Sequence, residues 1–196
     1  MRLILVRHGE TPWNEAGRYQ GWEDPPLSPR GWITARRIGA LLRARGVVRC
    51  TVWSSDLVRA AATARVALRR PPRIDPRLRE LDFGEFAGGT YQENMDRFGP
   101  RFAAWVEHRG RPAPPGGEDL DDFFARTRAW LDDVRARTPV GTTVVAVTHG
   151  GVVRAIARPF AGEEFWPGNG EMTVLDWTDG RPAPVLERWP SNEVPI

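Results

Sequence analysis

Apolar positions along this chain follow two periods, and the change from one to the other marks out a run of alternating elements. Residues 2–6 hold the short, branched apolar run Leu3-Ile4-Leu5-Val6, which ends at the charged Arg7, the pattern of a strand buried in a parallel sheet. After Ser28-Pro29, the residues Trp32, Ala35, Ile38, Leu41 and Leu42 recur at helical spacing, and Gly46 supplies a stop. Residues 50–54 read as a second strand, and 57–68 as a second helix ended by Pro71-Pro72. Further on, Leu120, Phe123, Phe124, Thr127, Trp130, Leu131 and Val134 mark an amphipathic helix, residues 142–147 a third buried strand, and 152–160 a fourth helix. Segments 172–177 and 185–189, joined through Asp179-Gly180, read as an appended hairpin.

Strands alternating with helices predict an α/β three-layer sandwich: a mostly parallel central sheet, helices on both faces, and ligand sites at the carboxyl ends of the strands. One domain is expected over residues 1–196, with a small helical cap inserted at about 87–117. Periodicity there is weak, although 91–98 and 102–106 could form two short helices, and a long insertion of this kind often covers a site. The stretch Arg111-Pro112-Ala113-Pro114-Pro115-Gly116-Gly117 cannot stay helical and reads as the loop back to the main body.

Composition narrows the function classes. Hydrophobic residues at 41% and charged residues at 27% are ordinary for a folded globular protein. Cys50, expected in the core, is the single cysteine, which rules out an internal disulfide and a cysteine-rich zinc site. No lysine is present, so all 28 basic residues are arginine; this explains a pI near 9.9 at a net charge of only +3. The arginines lie along the whole chain among 25 acidic residues, unlike the clustered face of a nucleic-acid binder. Arg7 breaks the first apolar run far short of a signal core or a membrane span, so the expectation is a cytoplasmic protein with neither nucleic-acid nor membrane partners.

The candidate chemistry sits where strands end. Arg7-His8-Gly9-Glu10-Thr11 follows the first strand, and Thr148-His149-Gly150-Gly151 follows the third, so the two histidines can converge. A neutral imidazole near its reference pKa of about 6.5 is a usable nucleophile, provided its second nitrogen is held as a donor. An arginine beside it fits a phosphate target, because the guanidinium matches two phosphate oxygens. Gly9 would let the backbone approach the ring and a ligand. The plainer reading, two hydrogen-bonded structural histidines at sheet ends, stays open at this point. His108 has no strand context and reads as a surface residue. Trp32 and Trp130 lie on apolar helix faces. Trp105 and Phe102 either line a pocket entrance or pack the core of the insertion.

These motifs, with others, resemble the histidine phosphatase superfamily, also called phosphoglycerate mutase-like. The signature at 7–11 continues as Trp13-Asn14, Gln20-Gly21-Trp22, Asp24, Pro26-Leu27-Ser28 and Gly31. Ser54-Ser55-Asp56-Leu57 with Arg59-Ala60 and Thr63-Ala64, Leu78-Arg79-Glu80-Leu81-Asp82-Phe83-Gly84-Glu85, and Thr148-His149-Gly150 follow in the family's order, so that the likeness spans roughly residues 3–160. The resemblance implies that His8 is the nucleophile that becomes phosphohistidine. It implies also that Arg7, Arg59, His149, Asn14 and Gly150 bind the phosphoryl group, and that Glu80 protonates the leaving oxygen and then activates water. Gln20, Gly21 and Trp105 are candidate substrate contacts. No metal or cofactor is implied, and homodimers are common among such relatives.

The physics asks for fixed positive donors around three charged oxygens, which Arg7, Arg59 and a protonated His149 would supply. A carboxyl that begins as an acid needs a pKa above its usual 4.3 or so, which burial and a bound dianion both promote. Glu10, Asp82 and Glu85 are the competing carboxyls, with solvated or capping roles as the alternative.

Within the family, Glu80-Leu81-Asp82-Phe83-Gly84 and Gly150-Gly151-Val152 resemble the phosphatase branch, whereas mutases typically carry Glu-Arg-His-Tyr-Gly and Gly-Asn-Ser. The ending Pro190-Ser191-Asn192-Glu193-Val194-Pro195-Ile196 lacks the mutases' basic tail, so water is expected to reach the intermediate. The expectation is a metal-independent phosphomonoesterase acting on a small phosphorylated metabolite. A cofactor-dependent phosphoglycerate mutase and a non-catalytic binder of phosphorylated ligands are the alternatives. Sugar phosphates, phosphoglycerate derivatives and cobalamin-pathway nucleotide phosphates are all open as substrates. Discrimination is expected from 87–117 and the loop after Gly17, and Arg79, Arg97, Arg101 and Arg109 either favour acidic substrates or face solvent.

Overall fold

The computed structural model describes residues 1–162, 165–177 and 184–190. Strand β1 (Arg2–Arg7) is followed by the short helix α1 (Pro12–Glu15), α2 (Pro29–Ala44), β2 (Thr51–Ser54), α3 (Val58–Leu68) and β3 (Arg73–Ile74). Two 3-10 turns, Pro76–Leu78 and Gly84–Phe86, lead to α4 (Tyr91–Phe98) and α5 (Pro100–Glu107). The chain then returns through α6 (Leu120–Arg137), β4 (Thr143–Thr148) and α7 (Gly150–Ala157), and ends the described sheet with β5 (Met172–Asp176) and β6 (Val185–Trp189).

One sheet, in the order β3-β2-β4-β1-β5-β6, forms the middle layer. Pairing is parallel from β3 through β1, whereas β5 runs antiparallel to both β1 and β6. The expected hairpin is therefore no appendage: β5 pairs along β1 and extends the central sheet. Its Asp179-Gly180 connection lies outside the described residues.

Side chains of β1 and β4 leave the sheet on alternate faces, as strand geometry demands. Leu3, Leu5, Val144 and Ala146 join a core with α5, α6 and α7, while Ile4, Val6, Val145 and Val147 join a second core with α2 and α3. These two cores make the three layers. Both strands are apolar on both faces because neither face sees water.

Local signals account for most element ends. Ser28 caps α2 by accepting from the Gly31 amide at 3.0 Å, Pro29 occupies the first turn, and Gly46 follows the end with φ +73°. The loop after β1 meets α2 backbone to backbone: a Cβ on Gly31 would lie 2.0 Å from the Glu10 carbonyl oxygen, and one on Gly9 2.6 Å from that of Gly31. Gly9 thus permits a close approach to α2, a contact with no counterpart in the local sequence pattern. With Gly31 facing the loop, its neighbour Trp32 turns outward and is 43% exposed, against expectation. Cys50 precedes β2 and is only half-buried, with its thiol 2.8 Å from Arg70 Nη2.

In the insertion, Phe102 and Trp105 pack with Tyr19, Phe83 and Phe86 at ring separations of 5.1–5.8 Å, almost all edge to face. Both are core residues, not a pocket entrance. Arg18 donates to the Gly88 carbonyl and pairs with Glu93, tying the loop after Gly17 to α4. The 111–117 loop docks where the Glu85 amide donates to the Pro115 carbonyl.

Trp130, on α6 against Trp53, is the largest fully buried side chain in the core shared with β1 and β4. Truncation of Trp130 to alanine is expected to cost about 3–5 kcal/mol, read as a lowered midpoint in guanidinium unfolding; a loss under about 1 kcal/mol would show that α6 is not seated as described.

Candidate active site

The register of β1 against β4 sets the geometry. Arg7 lies opposite Thr148, so the next residues, His8 and His149, leave the sheet side by side. The His8 amide donates to the Thr148 carbonyl at 2.9 Å, and the two rings meet edge to face with centroids 5.1 Å apart. Both are buried, at 3% and 0% exposure.

His8 Nδ1 lies 2.7 Å from the Gly9 carbonyl oxygen. That oxygen can only accept, so Nδ1 carries the proton and Nε2 keeps its lone pair. Burial, then Arg59 and Arg7, hold the His8 pKa well below its ordinary value, and burial, Arg59 and His8 do the same to His149. Both imidazoles are neutral at pH 7. The expected protonated His149 is therefore corrected for the free protein: it offers one N–H, and only an incoming anion would favour the charged form.

Arg59, projecting from the first turn of α3, is 1% exposed. It donates to the carbonyls of Glu23 and Gly21 at 2.8 Å each and lies 3.3 Å from Asp24. Asp24 in turn accepts from the Val58 amide at 2.6 Å. Arg7 donates to the Pro167 carbonyl at 2.8 Å. Burial pushes both guanidinium pKa values down, yet they stay charged. Arg7 Nε, Arg59 Nε and both His149 ring nitrogens are buried with no protein partner, a concentration of unpaired polar groups that native structures carry only where a ligand or solvent answers them.

Glu80 lies beside them, after the turn Pro76–Leu78. Its Oε1 accepts from the Leu81 amide and its Oε2 from the Gly151 amide, each at 3.0 Å. Of the three competing carboxyls, Glu10 accepts from Ser28, Asp82 accepts from the Gly84 amide, and Glu85 is exposed. Asn14 Oδ1 receives the Thr11 amide and Asn169 Nδ2, at 3.1 and 3.2 Å, which leaves its Nδ2 end for a ligand.

Of the other candidates, Gly150 packs against Arg7, where a Cβ would lie 3.7 Å from Nε. Gln20 is buried with its oxygen 3.1 Å from Thr11 Oγ1, and Gly21 contributes the carbonyl that aims Arg59. Arg79 is taken up by Asp56 and stacks on Trp22, and His108 is exposed, far from any strand end.

Arg126 and Asn169 have no sequence signal, and Trp22, although part of the signature, takes a role that the signature does not give. Arg126 on α6, fixed by Glu118, donates to the carbonyls of Arg77, Arg79 and Glu80 at 2.7–2.8 Å, and Trp22 Nε1 adds a bond to the Glu80 carbonyl at 2.9 Å. Asn169 Nδ2 donates to the His8 carbonyl. Partners so distant along the chain leave no local pattern. Among the described residues no cluster of three or more His, Cys, Asp or Glu is placed to hold a metal ion, and no helix is long and apolar enough to cross a membrane.

A sheet-end cluster of two imidazoles, two guanidiniums and a carboxylate defines an oxyanion site of the phosphoryl-transfer type. The family model for the histidine phosphatase superfamily (branch 1) matches residues 3–190, and the chain belongs to that superfamily. It is 34% identical over 161 residues to a 2,3-bisphosphoglycerate-dependent phosphoglycerate mutase of Xanthobacter autotrophicus, covering 79% of this chain and 78% of that one. To phosphoserine phosphatase 1 of Hydrogenobacter thermophilus it is 34% identical over 172 residues, covering 85% and 80%. The crystal structure of a phosphoglycerate mutase from Thermus thermophilus superposes with a TM-score of 0.77 at 37% identity, over 97% of this chain and 99% of that one. A mycobacterial glucosyl-3-phosphoglycerate phosphatase in complex with VO3 gives 0.75 at 31%, over 89% and 92%.

The depressed imidazoles predict a pH dependence of stability. Unfolding frees both rings to bind protons near pH 6.5, whereas the folded state resists protonation until far lower pH. The unfolded chain therefore binds more protons below that value, and stability, complete above it, falls as the pH drops. The melting temperature is expected to decline between about pH 7.5 and about pH 5.5, and a His8→Asn/His149→Asn double variant should flatten the decline; an equally steep profile in the variant would contradict the neutral pair.

Proposed function

We propose that this protein is a metal-independent phosphomonoesterase working through a phosphohistidine at His8. The observation that carries the reading is the tautomer: Nδ1 donates to Gly9, so Nε2 presents a lone pair beside guanidinium and imidazole nitrogens that no protein acceptor claims.

His8 Nε2 attacks phosphorus in line with the ester oxygen. The P–O bond to the alcohol breaks as the N–P bond forms, and Glu80 gives its proton to the departing oxygen. Arg7, Arg59, His149 and the Asn14 amide hold the three equatorial oxygens, on which the charge is spread. Water then attacks the phosphohistidine; Glu80 takes its proton, the N–P bond breaks, and inorganic phosphate leaves. The carboxyl has regained the proton it lost, so the cycle closes. Hydrolysis is supported by the phosphatases among the relatives and by the Glu80–Gly84 and Gly150–Val152 blocks.

A second reading, phosphoryl transfer within one substrate, is favoured by the relatives named as phosphoglycerate mutases. A panel of phosphoserine, 3-phosphoglycerate, sugar phosphates, nucleotide monophosphates and 4-nitrophenyl phosphate, assayed with EDTA present, separates the two. Sustained phosphate release is expected, with an acid-labile phosphoenzyme in the wild type, and His8→Ala should lose at least ~10³-fold in kcat. Rapid conversion of 3- to 2-phosphoglycerate with little release would favour the mutase, and turnover persisting in His8→Ala would end the phosphohistidine mechanism.

A further inference from the structure

We infer that Gly151 is a positioning residue for Glu80, and that in this chain the missing side chain at 151 serves the placement of that carboxyl more than the helix. The inference rests on the reading above, in which Glu80 is the proton donor.

Gly151 is the second residue of α7. Its N–H donates to Glu80 Oε2 at 3.0 Å, across 71 residues of sequence. His149, at the cap position of that helix, supplies no side-chain hydrogen bond to it, so the Glu80 carboxylate stands where a capping oxygen would.

Space at 151 is the decisive feature. A Cβ added to Gly151 would lie 2.1 Å from Glu80 Oε1, 3.1 Å from its Cδ and 3.4 Å from Oε2. The three atoms nearest to it all belong to one carboxylate. In this chain, with Glu80 placed as it is, a side chain at 151 therefore displaces that group, while the helical backbone itself has no need of glycine and would gain propensity from alanine. The Glu80 main chain cannot follow, because its carbonyl is held by Trp22 Nε1 at 2.9 Å and by Arg126 at 2.8 Å. The displacement is confined to the Glu80 side chain, which swings off the oxygen it serves.

A misplaced acid matters in proportion to how badly the leaving group needs a proton. An alkoxide needs one; 4-nitrophenolate departs without it. Wild type, Gly151→Ala, Glu80→Gln and the double variant are to be compared on 4-nitrophenyl phosphate and on the fastest alkyl phosphate of the panel. The readouts are kcat/KM, which reports the step that forms phosphohistidine, and the melting temperature.

Gly151→Ala is expected to melt no lower than about 2 °C below wild type. Its kcat/KM should fall ~10²-fold on the alkyl phosphate and less than about 5-fold on 4-nitrophenyl phosphate. The double variant should be no slower than Glu80→Gln alone, since the two changes remove the same function. Equal losses on both substrates, no loss on either, or effects that multiply in the double variant would each overturn the role given to Gly151. A wild type inert across the whole panel overturns the phosphatase reading and takes this inference with it, whereas a Glu80→Gln variant selective for the alkyl ester beside an unselective Gly151→Ala refutes the inference alone.

Discussion

Two buried imidazoles at the carboxyl ends of neighbouring strands, with the buried Arg59 of α3 and the partly buried Arg7 against them, are the feature to which the rest of this structure answers. Charge is costly to bury, and a carboxylate beside each arginine would be the usual compensation. Here, among the described residues, only Asp24 lies within ion-pair distance of either guanidinium, at Arg59; Glu80 and Glu171 act on them through space, and the remaining hydrogen bonds go to the backbone carbonyls of Gly21, Glu23 and Pro167. Carbonyl oxygens orient a guanidinium without cancelling its charge. The field stays available at the cost of needing three loops held in register with the sheet.

That requirement explains devices that look unrelated. The Gly9–Gly31 contact presses the loop after β1 onto α2, and Ser28 both caps α2 and holds Glu10. Tyr19 in the aromatic cluster and Arg18, paired with Glu93 of α4, anchor the segment that leads to Gly21, so the insertion supports from behind the loop that orients Arg59. Arg126 reaches from α6 to three carbonyls leading up to the Glu80 side chain. Glu80 is thereby fixed to the helix layer of one face, and Arg59 to that of the other. The sheet between them carries His8.

Much of this is legible in the amino-acid sequence. Apolar runs on both faces of β1 and β4, with a histidine after each, place the two imidazoles at strand ends, because a short branched run with no polar face reads as a strand covered on both sides. The helices α2 and α6 follow from spacing and caps. Long-range pairing is not legible: hairpin signals at 172–177 and 185–189 are local, and nothing in them says that β5 adds to β1. The same holds for Pro167 on Arg7, 160 residues away, and for Arg126, one arginine among 28. Trp105 and Phe102 read equally well as entrance or core, since an aromatic residue in a weakly periodic segment has no face until its partners are known. The neutral His149 needs three dimensions as well, because desolvation and Arg59 act on it through space.

Neutral imidazoles and unpaired donors are two results of one cause. The burial and positive field that keep a proton off His8 Nε2 also leave Arg7 Nε, Arg59 Nε and His149 without acceptors. Such donors weaken the fold as long as no acceptor meets them, each by about 1–3 kcal/mol for a buried unmet group. An oxyanion in that space satisfies several at once and lowers the field that opposes protonation of His149. Because the donors are fixed before it arrives, no reorganisation is asked of them as charge moves from the ester onto the phosphoryl oxygens. The fold thus holds in reserve an electrostatic instability that a bound anion relieves, and an oxyanion that binds the folded chain alone must raise its stability in proportion to the logarithm of its concentration over its dissociation constant.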